Sequence, residues 1–258
     1  MTIRNHIIYG IAFLAALLLQ VHPILAQGSN NRKSYEPEMV FVQGGTFQMG
    51  IESVIIDERP VHSVTLSDYY IGKYEVTQSQ WREVMGTNRS LHSDCDQCPE
   101  EQVSWDDAQV FIEKLNAMTG RQYRLPTEAE WEFSARGGRE GKGYVYSGSN
   151  DLNEVGYFYE NANDETHTAG KKRPNELGIF DMSGNVWEWC SDWYGSYVSQ
   201  PVLNPQGAST GDLRVLRGGS WNDNARYCQV SSRYRNIPSG RFYGYGFRLV
   251  LSLSSPGQ

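Results

Sequence analysis

The sequence predicts an α+β fold of short strands and short helices joined by much irregular chain, and three observations point to it. Glycine is abundant, at 26 residues, and aromatic side chains make up 12% of the chain, a combination that favours turns and packed rings over helical bundles. Three brief amphipathic segments each open on a helix-start pattern. Between 139 and 213 periodicity fades and Gly, Asn, Asp and Tyr dominate; long irregular stretches in a compact domain mark functional loops or chain held by metals or disulfides.

In chain order, residues 1–26 carry one basic residue, Arg4, then an uncharged apolar run from Ile7 to Leu19, closing on Ile24-Leu25-Ala26. This is the pattern of a secretory signal peptide cleaved after Ala26. The competing reading, an uncleaved anchor, needs about 20 apolar residues. No cysteine lies near the cleavage point, which argues against a lipid anchor. The mature protein is therefore expected to be exported, with no transmembrane anchor, to the periplasm, the cell surface or the medium. Residues 27–37 are polar and read as a flexible leader, and 38–258 as the folded domain. Losing Arg4 takes the net charge from -7 to -8, a poor balance for nucleic-acid binding.

The domain opens on MVFVQGGTFQMG, two strand-like runs around the turn pair Gly44-Gly45. Further strands are expected at 62–66 (HSVTL) and 69–76 (YYIGKYEV). Thr77 with Gln80 forms a capping box for a helix ending at Gly86; Ser104 with Asp107 opens a second, ending at Gly120. Thr127 with Glu130 opens a third, stopped by Gly137-Gly138. In the second, Ala108, Phe111, Ile112 and Leu115 recur at helical spacing, the mark of a buried face. The last strands are expected at 214–219 (RVLRGG) and 246–253 (GFRLVLSL).

All four cysteines, Cys95, Cys98, Cys190 and Cys228, lie in the mature chain, where export would permit disulfides. Cys95 and Cys98 form a lone CxxC; a zinc site would need two further ligands, so a small-loop disulfide or a free pair is expected. There is no nucleophile-elbow or phosphate-loop motif, and His62, His92 and His167 are scattered.

Several ordered blocks, FVQGGTFQMG (41–50), YYIGKYEVTQSQW (69–81), QVSWDDAQVFIEKLN (102–116), YRLPTEAEWEFSARGG (123–138), GIFDMSGNVWEWCSDWY (178–194), RVLRGGSW (214–221) and GFRLV (246–250), resemble the sulfatase-modifying-factor family of the formylglycine-generating enzymes. The resemblance covers about 38–252 and implies a fold like that of C-type lectins. It also implies a calcium site at the side chains of Asp181 and Glu188 and the carbonyls of Gly184 and Val186. Two acids bracketing a glycine turn suit a hard cation; the alternative is that they cap turns and pair with arginine. Trp187, Trp189 and Trp193 read as core rings.

In the family's oxidases two cysteines five residues apart, just after the GGS, bind copper(I), which favours paired thiolates. Here the second falls on Cys228 and the first on Asp223, a hard carboxylate, so a copper site is not expected. Cys228 reads as a buried or disulfide-bonded structural cysteine, with Cys190 as a candidate partner. Ser220 and Tyr227 match groove positions of the family; with Cys228 they would be the catalytic candidates if oxidase activity survived. The expected binding surface is Asn222, Asp223, Asn224, Tyr227, Arg233, Tyr234, Arg235, Tyr243 and Tyr245, the residue types of recognition loops, taking a protein, peptide or glycan ligand. The frame from GGSW to GFRLV also resembles the variable region of proteins diversified by retroelements. Three functions follow: a calcium-stabilised binding module without oxidase activity, a formylglycine-generating oxidase, or a component of an envelope or secretion apparatus.

Overall fold

Residues 33–52 and 55–253 are described in the computed structural model; the expected signal peptide lies outside them. Residues 33–37, the end of the expected leader, lie against the domain, where the Ser34 hydroxyl donates to Glu83. The first strands are β1 (Met39–Val42), β2 (Gly45–Met49), β3 (His62–Leu66) and β4 (Tyr69–Gly72). Along β3 burial alternates, with His62, Val64 and Leu66 inward, as period-two strands require. β4 stops at Gly72, four residues short of the expected run.

The three helices lie where their caps place them: α1 (Gln78–Met85), α2 (Trp105–Thr119) and α3 (Glu128–Ala135). Each capping box is formed reciprocally, the Thr77, Ser104 or Thr127 side chain accepting from the backbone N–H three residues on and that residue's side chain answering. Gly86 and Gly120 end α1 and α2 in the left-handed conformation, which glycine adopts without a Cβ penalty. The expected stripe of α2 is fully inside, and its Phe111 meets Trp81 and Phe247 at ring distances of 5.4 Å each. Each such side chain contributes about 1.5–3 kcal/mol by burial.

The remaining elements are β5 (Tyr123–Arg124), the one-turn α4 (Leu152–Val155), β6 (Trp187–Trp193), β7 (Val202–Leu203), β8 (Arg214–Arg217), β9 (Arg233–Asn236), β10 (Tyr245–Gly246) and β11 (Val250–Ser252). They complete three sheets in the orders β1-β4-β11-β5, β10-β6-β8-β9 and β2-β3-β7. The run expected as one strand at 246–253 is divided between two sheets. The cause is Arg248, whose buried guanidinium stands at the junction and donates to the carbonyls of Gly72 and Phe180, both at 3.0 Å, and to Glu188. β8 likewise ends at Arg217, because Gly218 and Gly219 take φ of 101° and 73°. At Gly219 a Cβ would stand 2.7 Å from the Cys228 sulfur, so only glycine fits the close approach.

Cys95 and Cys98 form a disulfide. Cys190 and Cys228 are both buried and free, a correction to the bond considered between them. Cys190 belongs to the main core with Trp131 and Val215. Cys228 sits in a satellite cluster with Leu152, Val155 and Phe158.

Candidate functional site

The C-terminal loops enclose a cleft of about 290 Å³ lined by Trp187, Ser220, Asn222, Asp223, Tyr227, Tyr234, Phe242, Tyr243, Gly244 and Tyr245. Trp187, expected as a core ring, is buried yet lines the cleft as the first residue of β6. Its ring lies 5.4 Å from that of Tyr234 and 6.5 Å from that of Tyr227. Tyr227, Tyr234, Phe242 and Tyr243 stand 40 to 52% exposed. Rings at such exposure are usable contact area. Tyr245 is inside, and burial holds its phenol well above the usual range.

Asp223 is a structural anchor of this cleft. Its Oδ2 accepts from the Trp187 indole at 2.8 Å, from the Ser220 N–H at 3.1 Å and from the Ser220 hydroxyl. Its backbone carbonyl accepts from Tyr159 N–H at 2.9 Å. Five residues on, burial and the Asp223 charge push the Cys228 thiol well above its usual range. A buried, protonated thiol is a weak nucleophile.

Of the nine residues expected on the binding surface, Asn222, Asp223, Tyr227, Tyr234, Tyr243 and Tyr245 line the cleft. Asn224 instead caps the short 3-10 turn at 225–228, its side chain accepting from the Arg226 N–H. Arg235 pairs with Asp57 at 2.7 Å. Arg233 faces the other side of β9: its guanidinium holds Glu128 at 2.5 and 2.8 Å and lines a separate cavity of about 350 Å³ with His62, Asp192 and Tyr197. Residue type alone does not reveal which face of a strand a side chain takes.

The residues expected at the metal site come together with a third acid, Glu75. Asp181 is buried with φ of 58°; its Oδ2 accepts from Gly170 N–H at 2.6 Å, while its buried Oδ1 has no hydrogen-bond partner. Burial pushes the Asp181 carboxyl up to about 6. Glu188 is held through both oxygens by Arg248 at 2.6 Å and also accepts from the Trp131 indole at 2.7 Å. Glu75 accepts from the Asn185 side chain at 2.9 Å and from Val186 N–H at 3.2 Å; burial, with the charges of Asp181 and Glu188, raises its pKa strongly. Gly184 takes φ of 99° and packs its Cα on the Tyr157 carbonyl. Among the described residues no group of three or more His, Cys, Asp or Glu side chains is arranged to hold a metal ion. A cation here would rest on Asp181 and backbone carbonyls.

The model of the sulfatase-modifying factor enzyme 1-like domain matches residues 26–253. The chain is 32% identical to Chaperone protein LppX of Paenibacillus barcinonensis, over 92% of this chain and 97% of that protein. It is 36% identical to the formylglycine-generating enzyme of Streptomyces coelicolor over 67% of this chain, which spans 58% of that enzyme's length. Among solved structures, Treponema denticola variable protein 1 superposes with a TM-score of 0.78 at 30% identity, covering 83% of this chain and 95% of that one.

Proposed function

The chain belongs to the sulfatase-modifying-factor family, and from that premise we propose that it is an exported binding module, stabilised by calcium, whose C-terminal cleft takes a protein, peptide or glycan ligand and carries out no copper-dependent oxidation. The seat of Asp223 carries this reading. Where the resemblance places the first copper cysteine stands a carboxylate with three donors on one oxygen. It holds the Trp187 indole and the Ser220 hydroxyl by hydrogen bonds of its own. A carboxylate is a poor substitute for thiolate toward copper(I), and Cys228 is left buried and protonated.

The exposed rings supply what recognition needs: wide, stiff contact area with small entropy loss on binding. Similarity to a protein named a chaperone along nearly its whole length favours a polypeptide ligand. The frame shared with a variable protein favours a recognition surface over a reaction centre. Calcium would be held by Asp181, through its unpartnered Oδ1, with the Gly184 and Val186 carbonyls; Glu188 is already committed to Arg248. The ion would supply charge neutralisation and hold the 181–186 turn.

The test is incubation of the mature protein, with copper and reductant, with a peptide carrying the CxPxR motif, followed by mass analysis for formylglycine, alongside a peptide and glycan array. The reading expects an unchanged peptide and array binding that Tyr234→Ala weakens. Formylglycine formation would establish the oxidase instead.

A further inference from the structure

Resting on that reading of the cleft, we propose that it is an aromatic cage for an alkylated ammonium group. Six rings line it, those of Trp187, Tyr227, Tyr234, Phe242, Tyr243 and Tyr245, together with the single carboxylate of Asp223 and no basic side chain. Ring faces carry negative charge density and attract a cation within about 6 Å of their centroids. Trp187 and Tyr234 are inclined at 33° and Phe242 and Tyr245 at 47°. Neither pair is stacked flat, so each presents two differently oriented ring planes at the lining. One wall already attracts a cation from outside, since Arg226, which is not among the lining residues, stands 5.9 Å from the centroid of Tyr227.

The carboxylate fixes the sign of the ligand. All three donors to Asp223 converge on Oδ2; among the described residues no donor reaches Oδ1, which is not one of the buried orphaned atoms. An anion would meet that oxygen and the aromatic lining with no basic side chain to pair with, whereas a cation would be attracted by the carboxylate and by any ring face it reaches.

The lining also discriminates among cations. A primary ammonium has three donors and is strongly hydrated; with Ser220 already spent on Asp223, it would have to trade that hydration for Asp223 Oδ1, Asn222 and the tyrosine hydroxyls. An alkylated ammonium has no donors or few, a diffuse charge and a methyl surface that packs on rings. At about 290 Å³ the cavity is at the low end of small-molecule sites, enough for such a headgroup and a short stem. The group can come from a free small molecule or from a methylated lysine of a polypeptide.

Calorimetric titration of the mature protein with choline, with its neutral isostere 3,3-dimethylbutan-1-ol and with an N-ε-trimethyllysine peptide tests this. The proposal expects saturable choline or trimethyllysine binding and at least about tenfold weaker binding of the neutral isostere. Tyr234→Ala and Asp223→Asn are each expected to weaken the cation about five- to tenfold, with folding checked by circular dichroism and Phe242→Ala replacing either variant that unfolds. Choline binding as tight as the peptide assigns a free small molecule; a peptide preference assigns a polypeptide. Equal binding of the isostere, no saturable binding of either cation, or variants without effect would overturn the cage. A neutral peptide or glycan that binds in the cleft while both cations fail would leave the binding module standing and remove only the cage.

Discussion

Two buried ionic clusters lie in this domain, and they differ in balance. In the first, Arg217 holds Glu132 and approaches Glu128 at 3.5 Å, Arg233 holds Glu128 in two hydrogen bonds, and Arg136 holds Glu132 at 2.7 Å. Although burial opposes its charge, Arg233 and Arg217 keep the Glu128 carboxyl below its usual range. In the second, Glu75, Asp181 and Glu188 share the buried cation Arg248, whose hydrogen bonds all go to Glu188 and backbone carbonyls. The first cluster balances two glutamates with three arginines, although the buried Arg217 Nε lacks a hydrogen-bond partner. The second has more acid than its arginine can match and one carboxylate oxygen without a partner. A buried charge needs a partner or a proton to be tolerated; the deficit can be met by a proton on Glu75, whose pKa is raised strongly, or, on the reading proposed above, by an outside cation, and the balanced cluster needs neither.

The largest effect expected is on the balanced cluster. Arg217→Met removes the cation between two buried glutamates and should destabilise the fold by about 3–5 kcal/mol, read by urea denaturation. Calcium should leave that cluster untouched and act on the other. At about a hundred times its dissociation constant it should stabilise the protein by about 2.7 kcal/mol, read as a rise in melting temperature that Asp181→Asn abolishes. Equal calcium stabilisation of wild type and Asp181→Asn would place the ion elsewhere.

A smaller effect is expected at the edge of the balanced cluster. Asp192 is buried beside Glu128, accepting from the Glu128 N–H at 3.0 Å, and burial pushes its carboxyl from 3.8 up to about 7. The folded protein therefore keeps this proton to about pH 7, whereas the unfolded chain releases it near 3.8. Its stabilising contribution is fully present below the unfolded value and is lost as pH rises toward 7. Asp192→Asn should thus gain about 1–2 kcal/mol relative to wild type at pH 8 over the difference at pH 4, by denaturation at both pH values. The smallest effect, about 1 kcal/mol, is expected for Ser104→Ala, which removes a helix cap remote from both clusters.

What the sequence made legible was local. Capping boxes place α1, α2 and α3 to within a residue or two, because N-cap side chain and N3 partner are three residues apart and need nothing else. β3 was readable from its alternation. β6 was not read as a strand: both its faces are largely buried, so it shows no period of two. The break between β10 and β11 depends on Arg248 finding Glu188, 60 residues away. Likewise the second cluster needs Glu75, more than a hundred residues from Asp181, and no spacing rule brings them together. In the cleft the tyrosines were legible by type, whereas Arg233 was misplaced because β9 turns it inward and Tyr234 outward.

Copper(I) titration of the reduced protein beside its Asp223→Cys variant reads directly whether Asp223 keeps copper out of the cleft. The native protein is expected to hold no copper against a competing chelator, and the variant to gain affinity by at least tenfold, since a second thiolate then stands five residues before Cys228. Tight copper(I) binding by the native protein would show that Asp223 does not exclude the metal and would restore the oxidase reading.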